Sequence, residues 1–197
     1  MKKVGLIILG VFLVIAIGCY SFFKSSYNGM VEMQESVSAS WSNVENQYQR
    51  RSDLIPNLVN SVKGYASHES ETLEAVTQAR ANATKTSINV ENMSEESLKQ
   101  FSNAQGELSS ALSRLMVVSE QYPDLKANQN FLDLQAQLEG TENRISTERT
   151  RFNAAVKSYN SLVRTFPKNI IASMCGFEPK PYFESEKGAE KAPVVEF

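Results

Sequence analysis

The single histidine of the chain is the first residue to consider for chemistry. His68 is followed directly by Glu69, and on a predicted helix two adjacent side chains point roughly 100° apart. A helical zinc site uses two histidines four residues apart together with a further ligand. Because this sequence offers only His68, the pair predicts a polar rim on the second helix rather than a metal site, and we expect no metal and no cofactor.

The two cysteines give no support for nucleophilic catalysis. Cys19 and Cys175 lie far apart and neither has a base near it in sequence. Their number and spacing also fit neither a disulfide framework nor a zinc motif. The sequence has no glycine-rich loop of the kind that holds phosphates. We therefore expect no catalytic residues and no enzymatic activity.

Arginine, asparagine and acidic residues form a more informative set. Along the last predicted helix they recur three and four residues apart, so that several share a face. One interpretation is a solvated face with ion pairs that contribute a few tenths of a kcal/mol each. The other is a face that receives a partner, or on which Asp53 and Glu142 pair with arginines of other helices. The candidate residues of this polar face are Arg51, Asp53, His68, Glu69, Glu142, Asn143, Arg149, Arg151, Asn153 and Asn160.

The charge balance argues against a nucleic-acid partner. The formal net charge is −2 and the basic residues are scattered and offset by glutamates. A nucleic-acid-binding surface needs a basic stripe that neutralises phosphates. We expect no nucleic acid among the partners.

Near the N-terminus, residues 4–23 contain no charge. A helix of about 20 apolar residues matches the hydrocarbon core of a bilayer, which is ~30 Å thick. Lys2 and Lys3 precede the segment and Lys24 follows it, so the positive charges favour a cytoplasmic N-terminus and a body outside the cytoplasm. The sequence predicts a transmembrane anchor over residues 1–24, with a cytoplasmic body as the alternative orientation.

Two other interpretations of this segment stay open. Residues 16–18 (AIG) offer a small-x-small site for cleavage of a signal peptide. The same residues with Cys19 resemble a degraded lipoprotein signal, in which Cys19 would be acylated. Position 16 is Ala instead of the usual Leu, however, and the apolar run continues beyond Cys19. An uncleaved anchor remains the favoured interpretation.

Beyond the anchor, the apolar residues repeat with the period of a helix. The first predicted helix ends near Arg50 and Arg51. Ser52 and Asp53 then cap a second helix that has Pro56 in its first turn and fades near residue 83.

Two more helices follow a connector at residues 85–93, where the period is lost. The third is predicted to begin at Ser94, and the fourth lies between a break at residues 122–124 and Pro167. Four amphipathic helices joined by short breaks predict an all-α fold, an elongated antiparallel up-down-up-down bundle over residues 25–175. Of the remaining residues 176–197 we expect the first part to dock on the bundle and the last ten or so residues to be disordered.

Several sequence runs resemble the LemA family. They are 41–44 (WSNV), 51–59 (RSDLIPNLV), 62–66 (VKGYA), 68–69 (HE), 141–145 (TENRI), 151–153 (RFN), Val156, 159–160 (YN), 166–167 (FP), 176–177 (GF) and 182–184 (YFE). The resemblance covers nearly the whole chain after the anchor. It implies a bacterial, membrane-anchored protein with a long antiparallel helical bundle, in a family without an established enzymatic activity.

Together these features predict a non-enzymatic interaction or scaffold protein of the bacterial cell envelope. The anchor would hold it in the cytoplasmic membrane as a single-pass protein, and its partner would be another protein or a second copy. We expect outer faces of the bundle, and not a cleft, to carry the function. The alternatives are a ligand-binding or hydrolytic bundle and a protein that organises lipid.

Overall fold

The computed structural model describes residues 2–66 and 68–184. Within these ranges every regular element is a helix, which confirms the all-α prediction at this level. The helices are α1 (Lys2–Lys63), α2 (Ser70–Lys85), α3 (Glu95–Ser119), α4 (Pro123–Lys126), α5 (Gln129–Arg164) and α6 (Lys168–Cys175). The predicted disordered end of the chain lies outside the described residues.

The predicted break at residues 50–53 is wrong, because α1 continues through it to Lys63. Pro56 lies inside the helix and has no N–H to donate to the carbonyl of Ser52. The Arg80 Nε of α2 donates to that carbonyl instead, at 2.8 Å. The Oγ of Ser52 also lies 3.1 Å from the Oγ1 of Thr84. Contacts from another helix therefore replace the bond that the proline removes, and the chain first turns after Lys63.

The later helix boundaries agree better with the sequence. The connector at residues 85–93 falls between α2 and α3. Ser94 caps α3 and exchanges hydrogen bonds with Ser97 in a capping box. The break at residues 122–124 separates α3 from α5, although Pro123 begins the short helix α4 within it.

Helix α6 was not predicted. Pro167 follows the end of α5, as expected, but the chain then forms two further turns of helix. Gly176 ends α6 with a left-handed backbone, at φ 77°, where a side chain would be strained.

The chain divides into two compact units, and α1 and α5 contribute to both. Of the described residues, the first unit contains 2–42 and 154–180, and the second contains 43–66, 68–153 and 181–184. Buried apolar residues of the first unit are Met30, Val37, Trp41, Val156, Tyr159, Val163, Ile171 and Ala172. The core of the second unit is formed by Ile55, Leu58, Val62, Ala66, Leu73, Val76, Ala79, Ala83, Leu108, Ala111, Leu112, Leu115, Leu125, Phe131 and Leu138.

The N-terminal part of α1 is apolar and uncovered. In the part of the chain that the structure describes, α1 is the one helix with the length and composition to cross a membrane. None of its most apolar 18-residue stretch is buried. Phe12, for example, is 70% exposed. The described part of the protein therefore leaves this surface open.

Candidate functional site: a buried arginine cluster and two asparagine clamps

Arg51 is the centre of a buried polar cluster in the second unit. Its side chain is 2% exposed and lies on α1. Nη1 donates to the Oγ of Ser109 at 2.9 Å and to the Oε2 of Glu142 at 2.8 Å. Nη2 donates to the Oε1 of Gln105 at 2.6 Å and to the Gln105 carbonyl at 3.3 Å. One guanidinium thus joins α1 to α3 and α5.

The groups around Arg51 compensate for the cost of burying its charge. The Cζ atom of Arg51 lies 5.1 Å from the centre of the Tyr48 ring, which adds a cation–π contact. Gln105 extends the network, since its Nε2 donates to the carbonyl of Ala83 at the end of α2. Glu142 is the exposed partner, with a side chain 56% accessible to solvent. A network of this kind favours the observed arrangement of the helices, because a shifted register would cost Arg51 and Gln105 these hydrogen bonds.

A cleft of about 640 Å³ opens beside this cluster. The sequence predicted that outer faces of the bundle carry the function and gave no sign of this cleft. Its charged lining residues are Arg51, Lys99, Arg149, Glu95, Glu107, Glu142 and Glu184. The lining contains no histidine or cysteine, and no group of three His, Cys, Asp or Glu residues in the described ranges is placed to hold a metal ion. The cleft can pair with charges of both signs, but it lacks a nucleophile with an adjacent base.

In the same unit, Asn153 of α5 clamps the backbone of Phe183. Its Nδ2 donates to the Phe183 carbonyl at 3.0 Å, and its Oδ1 accepts from the Phe183 N–H at 2.9 Å. Arg149 donates to the Glu184 carbonyl at 3.1 Å and places its Cζ 4.8 Å from the centre of the Phe183 ring. The ring of Phe152 meets that of Phe183 edge-on, at 5.5 Å between centres. Phe183 is buried as a result.

In the first unit, Asn160 makes the same kind of clamp. Its Nδ2 donates to the carbonyl of Lys180 and its Oδ1 accepts from the Lys180 N–H, both at 2.8 Å. The two asparagines lie seven residues apart on α5, which is about two turns. The partner of these asparagines is thus the C-terminal segment of the same chain, held through its backbone.

Other residues of the predicted polar face make contacts within their own helices. Asp53 accepts from the Nε2 of Gln49 at 2.7 Å, one turn away on α1. Arg151 pairs with Glu148 at 2.7 Å on α5. The side chain of Asn143 is exposed. Among the described residues, the structure brings Glu142 to an arginine of another helix but does not bring Asp53 to one.

His68 and Glu69 lie in the connection between α1 and α2, and not on a helix as expected. His68 is exposed. Glu69 accepts a hydrogen bond from the hydroxyl of Tyr122, at 2.9 Å. This bond raises the pKa of Tyr122 above its ordinary value, with burial and the negative charge of Glu69 as smaller contributions. Glu69 therefore links the connection between α1 and α2 to the connection that follows α3.

Sequence reasoning missed Gln105, although its position carries a signal. It falls in register with Phe101, Leu108 and Leu112 on the apolar stripe of α3, and all four are buried. An amide in an apolar stripe requires a polar partner. Arg51 is that partner, but identifying it requires knowing which helices are neighbours.

Known proteins similar to this chain carry LemA and MamQ names. The sequence model of the LemA family matches residues 40–197. Magnetosome protein MamQ 2 of Paramagnetospirillum magneticum is 30% identical over 186 residues, covering 86% of this chain and 68% of the relative. Magnetosome protein MamQ of Magnetospirillum gryphiswaldense is 28% identical over 186 residues, with the same coverage of each chain. Protein LemA of Metamycoplasma hominis is 28% identical over 162 residues, covering 82% of this chain and 70% of the relative. Because the family model spans most of the sequence, this protein belongs to the LemA family.

Proposed function

We propose that this protein is a non-enzymatic scaffold of the bacterial cytoplasmic membrane, which presents a helical bundle to a protein partner or a second copy of itself. The observation that carries this proposal is the continuity of α1. Its residues 4–23 are apolar and exposed, and the same helix continues without a break into buried residues such as Met30 and Val37. One helix would therefore be both the anchor and part of the folded body.

The length of residues 4–23 supports a single crossing of the bilayer. At 1.5 Å per residue, about 20 residues span ~30 Å. Lys2 and Lys3 on one side and Lys24 on the other favour a body outside the cytoplasm, with a cytoplasmic body as the alternative. Acylation of Cys19 after cleavage is a further alternative, since Cys19 is a free, exposed cysteine.

Short connections support an up-down-up-down arrangement of the long helices in the second unit. Residues 64–69 join α1 to α2, and residues 86–94 join α2 to α3. Residues 120–128 join α3 to α5. Connections of this length favour antiparallel neighbours. We assign residues 1–24 to the anchor, 25–175 to the helical body and 176–197 to a C-terminal segment docked in its first part.

A scaffold role fits the chemistry of the cleft better than catalysis does. The lining residues pair with charges of either sign but include no nucleophile and base in contact. The names of the relatives, MamQ and LemA, also name no reaction. The second candidate function is small-ligand binding, which the cleft of about 640 Å³ favours by its size.

Site-specific photocrosslinking in native membranes tests the scaffold proposal. A photoreactive amino acid at Lys99, on the cleft, should give reproducible adducts with a protein of defined mass. The same residue at Glu139, which is exposed and does not line the cleft, is the matched control. Adducts only with lipid, or identical protein adducts from both positions, would argue against a specific protein partner at the cleft.

The orientation of the body is tested by labelling. In a variant with Cys19→Ser and Cys175→Ser, a new cysteine at the exposed position of Ser113 should react with a maleimide that cannot cross an intact cytoplasmic membrane. Reaction only after the cytoplasmic membrane is disrupted would place the body in the cytoplasm.

A further inference from the structure

Helix α6 has two apolar faces, and the described residues of the protein cover one of them. Ile171 and Ala172 are buried. Phe166, in the turn before the helix, and Ile170 and Met174 are 76%, 51% and 74% exposed. Ile170 and Met174 lie one turn apart on the exposed side of α6, and Phe166 is exposed in the turn that precedes them. We call Phe166, Ile170 and Met174 the outer stripe.

Contacts within the first unit place both ends of this segment beside the anchor. The ring of Phe177, just after α6, meets the ring of Tyr27 edge-on at 5.5 Å between centres. A Cβ atom on Gly29 would lie 3.9 Å from the Cδ2 of Leu162, which precedes the turn before α6. Tyr27 and Gly29 are within six residues of Phe23, or about 9 Å along the helix axis. The segment that carries α6 therefore begins and ends close to the level at which the apolar anchor ends.

With residues 4–23 across the hydrocarbon core, as proposed above, this level falls in or just beyond the lipid headgroup region. The interfacial region extends about 5–8 Å beyond the hydrocarbon core on each side of a bilayer. Helices that lie in this region bury an apolar face about 5–10 Å deep at the boundary of headgroups and acyl chains. Lys24 and Lys168 flank the same region, and lysines favour the headgroup phosphates.

We propose that α6 is a second membrane contact, which lies on the bilayer surface with the outer stripe in the headgroup and acyl boundary. The proposal rests on the anchor described under the proposed function. Lipid is the occupant that the structure favours, since the segment that carries the outer stripe begins and ends beside the proposed anchor helix. The small polar residues Asn169 and Ser173 are exposed next to the stripe and would face the headgroups and water.

The test uses fluorescent labels on the full chain in lipid vesicles. In a variant with Cys19→Ser and Cys175→Ser, a single cysteine carrying an NBD group is introduced at Met174, Ser173 or Phe12. Vesicles of phosphatidylcholine and phosphatidylglycerol contain lipids with a quencher at a shallow or a deep position of the acyl chain. Matching circular dichroism spectra establish that the labelled proteins keep the same helix content.

We expect the label at position 174 to be quenched by shallow lipid quenchers at least about twofold more than the label at position 173. Iodide in the aqueous phase should show the reverse order. The label at position 12 should respond to the deep quencher, which reports the anchor independently. A label at position 170 provides a second measurement of lipid quenching on the outer stripe.

Two results would overturn the proposal while leaving the anchor intact. In both, the label at position 12 is quenched from within the bilayer. In the first, the label at position 174 is open to iodide. In the second, it is shielded from both kinds of quencher, which would mean that protein covers the stripe. If the label at position 12 is not quenched by lipid, both the anchor and the α6 contact are refuted.

Discussion

The Nε of Arg80 donates a hydrogen bond to the backbone carbonyl of Ser52, at 2.8 Å. That carbonyl is the one that Pro56, four residues later, leaves without its helical donor. Ser52 itself is 5% exposed, so water has little access to replace the bond. The contact explains how α1 continues through a proline that, from the sequence alone, predicts the start of a new helix.

The first prediction is that Arg80→Met destabilises the protein by about 1–3 kcal/mol, because it leaves a buried carbonyl unpaired. In a Pro56→Ala background the same substitution should cost clearly less, since the backbone N–H of the introduced alanine would then donate to the Ser52 carbonyl. Urea unfolding of the four proteins of this double-mutant cycle measures the coupling. Equal costs of Arg80→Met in both backgrounds would refute the account of how α1 tolerates Pro56.

The second prediction concerns the unequal partners of the Arg51 cluster. Arg51→Met should lower the free energy of unfolding by about 2–4 kcal/mol, because Gln105 loses its partner inside the protein. Glu142→Gln should cost less than about 1 kcal/mol, since its carboxylate is more than half exposed and an amide oxygen still accepts from Arg51. Chemical denaturation of the two variants makes the comparison. Similar losses from the two substitutions would mean that the ion pair itself, and not the buried hydrogen bonds, stabilises this site.

The third prediction is that Asn153→Ala releases the C-terminal segment. The N–H of Phe183 would lose its acceptor, so its hydrogen exchange should accelerate by about tenfold or more. Asn143→Ala on the same helix is the matched control, because the side chain of Asn143 is exposed. Hydrogen exchange monitored by NMR or mass spectrometry measures the protection of Phe183 in both variants. Unchanged protection of Phe183 in Asn153→Ala would show that the Asn153 clamp does not hold this part of the segment.

The fourth prediction is a dependence on alkaline pH. The hydrogen bond to Glu69 raises the pKa of Tyr122 above 10.0, so folding favours the protonated phenol. The stabilisation from this group is present below about pH 10, the ordinary tyrosine value, and is lost as the pH rises through the raised pKa. Glu69→Gln should move the pKa of Tyr122 back toward its ordinary value. The titration of Tyr122 is identified by comparing the tyrosinate absorbance of the wild type, Glu69→Gln and Tyr122→Phe. An identical titration in the wild type and Glu69→Gln would contradict the assignment.

The features of the fold that depend on local sequence could be predicted. Residues 4–23 show their apolar character directly, and the cap at Ser94 follows from its neighbours. The continuity of α1 could not be predicted, because the donor that compensates for Pro56 comes from Arg80, 28 residues away from Ser52. Helix α6 was missed because it has only eight residues, too few to show a reliable period.

The candidate site could be predicted only in part, because its contacts join residues that are far apart in the sequence. The recurrence of Arg and Asn along α5 is visible in sequence, but the spacing does not reveal what those side chains bind. Asn153 and Asn160 hold the backbone of Phe183 and Lys180, and backbone atoms carry no sequence signal. Predicting the cleft requires knowing which side chains of α1, α3 and α5 converge, and only the assembled helices show this.

The most direct test of the central proposal asks whether residues 4–23 hold the full chain in a membrane. The full chain should remain with bacterial membranes after extraction with alkaline carbonate. A variant with Leu9→Arg and Leu13→Arg should be released with the same helix content, because each arginine costs about 2.5–3.5 kcal/mol at the centre of a membrane helix. Release of the unmodified chain by carbonate, or retention of the double-arginine variant, would contradict the account.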